Sequence, residues 1–331
     1  MDEKLRNFIS RMHVQGKTDK DIHASLANAG WSESQIEREF ENAVIHIDDL
    51  KKYFNKTKAV DGISFMVEKG EIFGFLGPNG AGKTTTIRCM MNFLNSDTGY
   101  IKILKKDTAR YSVALKKEIG YLSGNYNLYE GWTGKEHIQF ARSFEKKQDI
   151  ANELIKRLNF DTNKKTKNLS SGNRQKLGII LALMFRPPVL ILDEPTLALD
   201  PLLQKEVYAL LREAANNGTT VFISSHNLAE VEQICNRVAI IKDGKLVAID
   251  QIKNLQRKHM YQVHVYFEGI APSREVFNGN GVEVVGKDDE GYSLKIKGDI
   301  NEFLDMISDY DIRDITIGRV SLEEIFLEFY K

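Results

Sequence analysis

The chain has 331 residues, room for two or three domains of ordinary size, and its 42% hydrophobic and 28% charged residues suit a folded, water-soluble protein. Lys plus Arg and Asp plus Glu number 46 each, so no net field draws the molecule to nucleic acid or anionic lipid, and no nucleic-acid partner is expected. Cys89 and Cys235 lie far apart and outside any Cys/His cluster, which argues against a disulfide framework or a zinc site and agrees with a reducing cytoplasm. The longest apolar run, Leu177 to Phe185, is too short to cross a bilayer and reads as a buried helix. The polar start Met1-Asp2-Glu3-Lys4 lacks a signal peptide's apolar region, so a cytoplasmic location is expected.

Residues 1–42 carry the pattern of three short helices. Leu5, Phe8, Ile9 and Met12 recur at helical spacing before Gly16 interrupts them. Thr18 is placed to cap a second helix bearing Ile22 and Leu26, which Gly30 stops. Ser32 followed by Gln35 is a capping-box pattern ahead of Ile36 and Phe40. The arrangement, with Gly30-Trp31 at the second turn, resembles a small ubiquitin-associated-type three-helix bundle. Two readings stand: a module that binds a further protein, or an N-terminal extension docked on the rest of the chain.

From residue 44 to 250 the pattern is α/β. Strands are expected at Val44–Ile47, Ile63–Val67, Ile72–Leu76, Val189–Leu192, Val221–Ser224 and Val238–Ile241, with helices between several of them, as in a mostly parallel sheet covered on both faces. Asp243-Gly244 between two apolar runs signals a hairpin.

Within this region, Gly77-Pro78-Asn79-Gly80-Ala81-Gly82-Lys83-Thr84 follows the expected strand Ile72–Leu76 and precedes a helix-compatible stretch from Thr85. That is the context in which G-x-x-x-x-G-K-[ST] holds a nucleoside triphosphate. Glycines let successive backbone N–H groups face one concavity, and the following helix presents the positive end of its dipole. Lys83 is expected on the β- and γ-phosphates, the Thr84 hydroxyl on Mg²⁺, and Thr85 among the nucleotide contacts. Further on, the apolar run Val189 to Leu192 ends in Asp193-Glu194. A buried strand delivers Asp193 to the sheet's C-terminal edge, where it can hold Mg²⁺, and leaves Glu194 able to polarise an attacking water as general base.

Leu169-Ser170-Ser171-Gly172-Asn173-Arg174-Gln175 lies one short helix upstream of that strand. Together with the two motifs above, it makes residues 44–250 resemble the ATP-binding cassette family, whose signature usually reads Leu-Ser-Gly-Gly-Gln. The resemblance implies an ABC-type P-loop ATPase fold with an antiparallel β subdomain and a helical subdomain. It implies that Ser170 and Gly172 grip the γ-phosphate of an ATP held by the opposite subunit of a homodimer or a heterodimer. It also implies that Ala198-Leu199-Asp200 crosses the dimer interface, that His226 contacts the γ-phosphate, and that Tyr53 stacks on adenine. One element departs from the family: its Gly-Tyr-Leu-Pro-Gln loop is here Gly120-Tyr121-Leu122-Ser123-Gly124, and Gly124 has no side chain to sense a γ-phosphate.

Residues 252–331 change character again, with expected strands at Val263–Phe267, Tyr292–Ile296 and Ile312–Ile317, a helix around Phe303–Met306 and a closing helix at Leu322–Phe329. This small α+β tail, with its ending Ser321-Leu322-Glu323-Glu324-Ile325-Phe326-Leu327, is similar to the C-terminal extension of drug-exporter-type (ABC-2) ATPase subunits. That resemblance implies an export ATPase held peripherally on the inner face of the cell membrane by a separate permease, whose coupling helices would meet a surface near residues 123–137. The other reading is a non-transport cassette ATPase that regulates a soluble partner.

Overall fold

The structure is a computed structural model that describes residues 3–125, 127–144, 148–257, 260–269, 271–277, 281–287 and 291–319. The chain divides into two compact units, 1–250 and 251–331.

The first unit opens with helices α1 (Glu3–Val14), α2 (Asp19–Asn28) and α3 (Glu33–Glu41). Two of them start at the expected caps. Thr18 Oγ1 accepts from Asp21 N while the Asp21 carboxylate returns a bond to Thr18 N, and Ser32 and Gln35 repeat the exchange. Leu5, Ile9, Ile22, Leu26 and Ile36 form the bundle's core, and Ala43 and Met66 complete it. Those last two residues belong to β1 (Ala43–Phe54) and β2 (Thr57–Glu68), so the bundle buries its apolar face against a sheet. Arg6 pairs with Glu68 across the same seam.

Next come β3 (Ile72–Leu76), α4 (Lys83–Met90), β4 (Thr98–Ile103), β5 (Lys106–Asp107), α5 (Ser112–Lys116) and β6 (Ile119–Leu122). Helices α6 (Gly134–Phe144), α7 (Ala151–Arg157) and α8 (Ser171–Leu183) precede β7 (Val189–Asp193). The unit ends with α9 (Pro201–Asn216), β8 (Thr220–Ser225), α10 (Leu228–Ile234), β9 (Arg237–Lys242) and β10 (Lys245–Gln251). Two sheets result: a four-stranded antiparallel one in the order β2-β1-β4-β5, and a six-stranded one in the order β10-β9-β3-β8-β7-β6. Strands β9, β3, β8, β7 and β6 run parallel.

The expected strands Val44–Ile47 and Ile63–Val67 therefore belong to the antiparallel sheet and extend well past their predicted ends, while the other four lie in the six-stranded sheet. Residues of β3 and β7 are buried throughout, which is why they read as continuous apolar runs. Phe65 of β2 packs with Phe73, Phe75 and Phe222 at ring separations of 5.5–6.0 Å, welding the two sheets. Each such fully buried ring contributes roughly 1.5–3 kcal/mol. Asp243 and Gly244 form the expected hairpin tip, both left-handed at φ 49° and 76°. The run Leu177 to Phe185 falls largely in α8, and among the described residues no helix is long and apolar enough to cross a membrane.

The second unit contains α11 (Ile252–Arg257), β11 (Met260–Phe267), β12 (Val282–Lys287), β13 (Gly291–Lys297), α12 (Ile300–Ile307) and β14 (Ile312–Arg319). Its antiparallel sheet has the order β12-β13-β11-β14 and encloses Val263, Val265, Leu294, Ile296, Phe303 and Ile307. The expected helix Leu322–Phe329 and the ending Ser321–Leu327 lie outside the described residues.

Candidate nucleotide site

Strands β3, β8 and β7 are neighbours in parallel register, Leu76 beside Ser225 and Ser224 beside Asp193. Their C-terminal ends bring three chain-distant segments together: the loop after Leu76, the loop after Ser225 and the acidic pair Asp193-Glu194.

The first loop is held where only glycine fits. A Cβ on Gly82 would lie 2.3 Å from the Ala59 carbonyl oxygen, and its φ is 107°. A Cβ on Gly77 would lie 2.4 Å from the carbonyl oxygen of Ile241. The loop is thus wedged between the β1–β2 hairpin and β9, leading straight into the N-terminus of α4. Lys83 Nζ folds back on the loop and donates to the carbonyls of Gly77 (2.8 Å) and Pro78 (3.2 Å).

Two polar clusters meet this loop. Thr84 Oγ1 donates to Asp193 Oδ2 at 2.9 Å, and Ser224 Oγ donates to Asp193 Oδ1, so the carboxylate at the end of β7 is held from both sides. Glu194 lies between Lys83 and His226: Lys83 Nζ is 3.6 Å from its Oε1 and His226 Nδ1 is 2.8 Å from its Oε2. Its backbone has φ 53°, a conformation that costs a non-glycine residue about 1–3 kcal/mol and marks functional sites. The carbonyls of Glu194 and Pro195 accept from Gln175 Nε2 of α8, at 3.1 and 2.7 Å.

A cavity of about 560 Å³ opens over these groups. Of the sequence-predicted residues, Pro78, Asn79, Gly80, Gly82, Lys83, Thr84, Thr85, Asp193 and Glu194 line it. Gly77 instead packs against Ile241 and Ala81, and His226 reaches the site through Glu194. Tyr53 stands outside the lining: its hydroxyl donates to Asp61 at 2.5 Å, and Lys58, which does line the cavity, lies 5.6 Å from its ring centre. The hydrogen bond to Asp61, with burial and the charge of Asp61 behind it, pushes the Tyr53 phenol up to about 12. Ser170 and Gly172 are also outside it. Ser170 caps α8, accepting from Asn173 N at 3.3 Å, and a Cβ on Gly172 would sit 2.8 Å from the Ala198 carbonyl oxygen.

Lys58, Arg88 and Asp243 line the cavity without having been singled out for it, Asn125 beside Gly124 lines it too, and Ser224 holds Asp193. Ser224 was legible only as the last residue of an expected strand, its place beside Asp193 coming from the pairing of β7 with β8; Lys58 and Arg88 carry no motif. Gly124 borders the cavity with its Cα hydrogens facing Asp193, a Cβ there lying 3.1 Å from Asp193 Oδ2.

A glycine-lined anion cradle at a helix N-terminus, a threonine–aspartate oxygen pair and a glutamate–histidine pair define a P-loop nucleotide hydrolase site. The family model for ABC transporters matches residues 60–197, and that for the C-terminal domain of DrrA1-3-like ATP-binding proteins matches residues 248–330. The uncharacterized ABC transporter ATP-binding protein YhcH of Bacillus subtilis is 35% identical over 297 residues, covering 86% of this chain and 95% of its own length. The bacitracin transport ATP-binding protein BcrA of Bacillus licheniformis is 34% identical over 301 residues, covering 87% and 97% respectively. A solved ATP-binding subunit of an ABC transporter superposes with a TM-score of 0.60 at 26% identity, over 65% of this chain and 92% of that one. The dimeric ATP-binding cassette in a post-hydrolysis state with ADP and Pi shares the fold, with a TM-score of 0.58 at 22% identity over 63% of this chain and 98% of that one. The chain belongs to the ABC transporter ATP-binding proteins. It is an ATPase that binds and hydrolyses ATP.

Proposed function

We propose that this chain powers an export transporter by closing around two ATP molecules with a second cassette. The observation that carries the reading is the meeting of Lys83 and Glu194 in one loop-lined cavity, with His226 held against Glu194. The loop Gly77, Pro78, Asn79, Gly80, Ala81 and Gly82, with Lys83, Thr84 and Thr85, holds the phosphates through backbone N–H groups and the ammonium. Tyr53 supplies a ring face for the adenine from the rim. Ser170 and Gly172, outside the lining of their own cavity, serve the nucleotide on the opposite cassette.

Thr84 Oγ1 and Asp193 Oδ2, 2.9 Å apart, are the hard oxygen pair that suits Mg²⁺. When bound, the ion offsets phosphate charge. Glu194 takes the proton of the attacking water, and His226 holds that carboxylate and the γ-phosphate in one frame. Two ATP molecules at the interface bind the closed dimer more tightly than the open one, so hydrolysis releases it.

Relatives named for bacitracin transport and daunorubicin resistance, and the matching C-terminal region, support export as the direction. Such a subunit sits on the cytoplasmic face of the membrane through its permease. Tyr129, Phe140 and Phe144 expose 58%, 42% and 74% of their surface; Tyr129 and Phe140 pack with Trp132, and Phe144 packs with Phe140, forming a surface fit for an apolar permease segment. Residues 1–42 form an accessory module seated on residues 44–250, and residues 252–331 a second accessory domain.

Affinity isolation from detergent-solubilised native membranes, read by mass spectrometry, tests the proposal. A stoichiometric multi-helix membrane protein is the expected companion. Recovery with cytosolic partners alone would overturn the transport reading in favour of a regulatory cassette.

A further inference from the structure

Glu230 of α10 is only 2% exposed, and among the described residues no Lys or Arg forms an ion pair with it. Its two oxygens are divided between two loops. Oε1 accepts from Thr196 Oγ1 at 2.7 Å, and Oε2 accepts from Ser225 Oγ at 2.5 Å. Thr196 follows Glu194 by two residues, and Ser225 immediately precedes His226. Burial pushes this carboxyl up, against the hydrogen bonds from Ser225 and Thr196; the charge of Glu194 adds to the rise and His226 opposes it.

A buried carboxylate with no cation is expensive, and an apolar side chain would fill the space at less cost. A carboxylate has one property an apolar group lacks: two acceptor oxygens that can tie two donors at a fixed spacing. The loop at Glu194 needs such a tie, since its backbone is left-handed at Glu194 and Ala198, with φ 53° and 64°. Gln175 pins that loop from the α8 side, and Glu230 is the hold from the α10 side.

We infer that Glu230 is a positioning residue that locks the Glu194 loop to the His226 loop, presetting the Glu194–His226 contact for hydrolysis. It lies outside the cavity lining, and it acts through Thr196 and Ser225. The inference rests on the proposed roles of Glu194 and His226.

The test is steady-state ATP hydrolysis with separate nucleotide-binding and melting measurements on the full chain. Glu230→Ala is expected to lower kcat roughly ten- to hundredfold, the scale of a small misplacement of reacting groups. Nucleotide affinity should hold, and Glu230→Gln, which keeps one acceptor, should recover part of the rate. In a His226→Ala background the further loss from Glu230→Ala should vanish, because the positioned group is gone. Wild-type kcat in Glu230→Ala would overturn the inference, as would a parallel fall of kcat, affinity and melting temperature in both backgrounds. Should Glu230→Ala fail to fold, Glu230→Gln decides: reduced kcat with intact affinity and melting supports the role, and unchanged kcat overturns it. Glu194→Gln and His226→Ala separate the two layers. If both hydrolyse normally, the catalytic assignment itself fails; if they are impaired and Glu230→Ala is not, only the role of Glu230 fails.

Discussion

His226 Nδ1 lies 2.8 Å from Glu194 Oε2, joining the residue after β8 to the residue after β7. Neither side chain could find the other without parallel pairing of those strands, in which Asp193 sits opposite Ser224. The contact fixes the orientation of the carboxylate while Lys83 stands at its other oxygen. From that relationship, and from the packing around it, four outcomes are expected.

Glu194→Gln keeps the shape of the side chain and removes its basicity. Loss of a general base costs about 10²–10⁴ in rate. Phosphate release should fall by that order while nucleotide binding survives, and the closed ATP-bound dimer should accumulate on size-exclusion chromatography. Wild-type phosphate release would show that another group takes the proton.

Gly82→Ala and Gly80→Ala should differ sharply. Both glycines have left-handed backbones, at φ 107° and 82°, but only at Gly82 does a Cβ meet a backbone atom, the Ala59 oxygen at 2.3 Å. Strain alone costs about 1–3 kcal/mol. Gly80→Ala, with nothing within 4 Å, should pay only that, whereas Gly82→Ala must also push β2 away. Calorimetric melting and nucleotide titration of both variants would reveal the contrast, and equal losses would contradict it.

Asp19 carries a pH dependence for the seat of the N-terminal bundle. Burial pushes its carboxyl up, but contacts with His13 (3.3 Å) and His46 (2.7 Å) and the Tyr100 hydroxyl (2.5 Å) more than offset this, holding it well below the usual carboxylate range. The folded state therefore binds this proton less readily than the unfolded chain. Its stabilisation is fully present above an unfolded value of about 3.9 and fades as pH falls further. Asp19→Asn should destabilise the bundle at neutral pH and flatten the acid limb of a melting-temperature profile. An unchanged limb would mean that other carboxyls control acid unfolding.

Phe144→Ser removes the most exposed ring of the aromatic surface, 74% exposed and stacked edge-on against Phe140 at 4.8 Å. Being so exposed, it should cost the isolated chain little stability. Capture of a permease from membranes should drop, and undiminished capture would move the docking surface elsewhere.

The nucleotide loop, the Asp193-Glu194 pair, the capped helices of residues 1–42 and the Asp243-Gly244 hairpin were all legible locally. Each is written in a few adjacent residues whose backbone demands are strong. Less was legible of β4, β5 and β12: β5 is a two-residue pairing, and β12 alternates half-buried with exposed positions and has no solid apolar face. Tyr53 was expected to stack on adenine, while its tether to Asp61 and its neighbour Lys58 came only from hairpin pairing, in which Tyr53 faces Lys58.

By itself the sequence determined the chemistry: which residues can cradle phosphate, hold an ion or accept a proton, because those capacities belong to side chains and to short backbone turns. The tertiary structure decided which of them act together. The meeting of Glu194 with His226, of Asp193 with Ser224 and Thr84, and of Glu230 with both loops depends on strand order in a parallel sheet. Such order is set by burial of β3, β7 and β8 on both faces, a collective property that no local spacing records. The docking of the bundle on Ala43 and Met66 is likewise a matter of shared apolar area, decided only when both surfaces have folded.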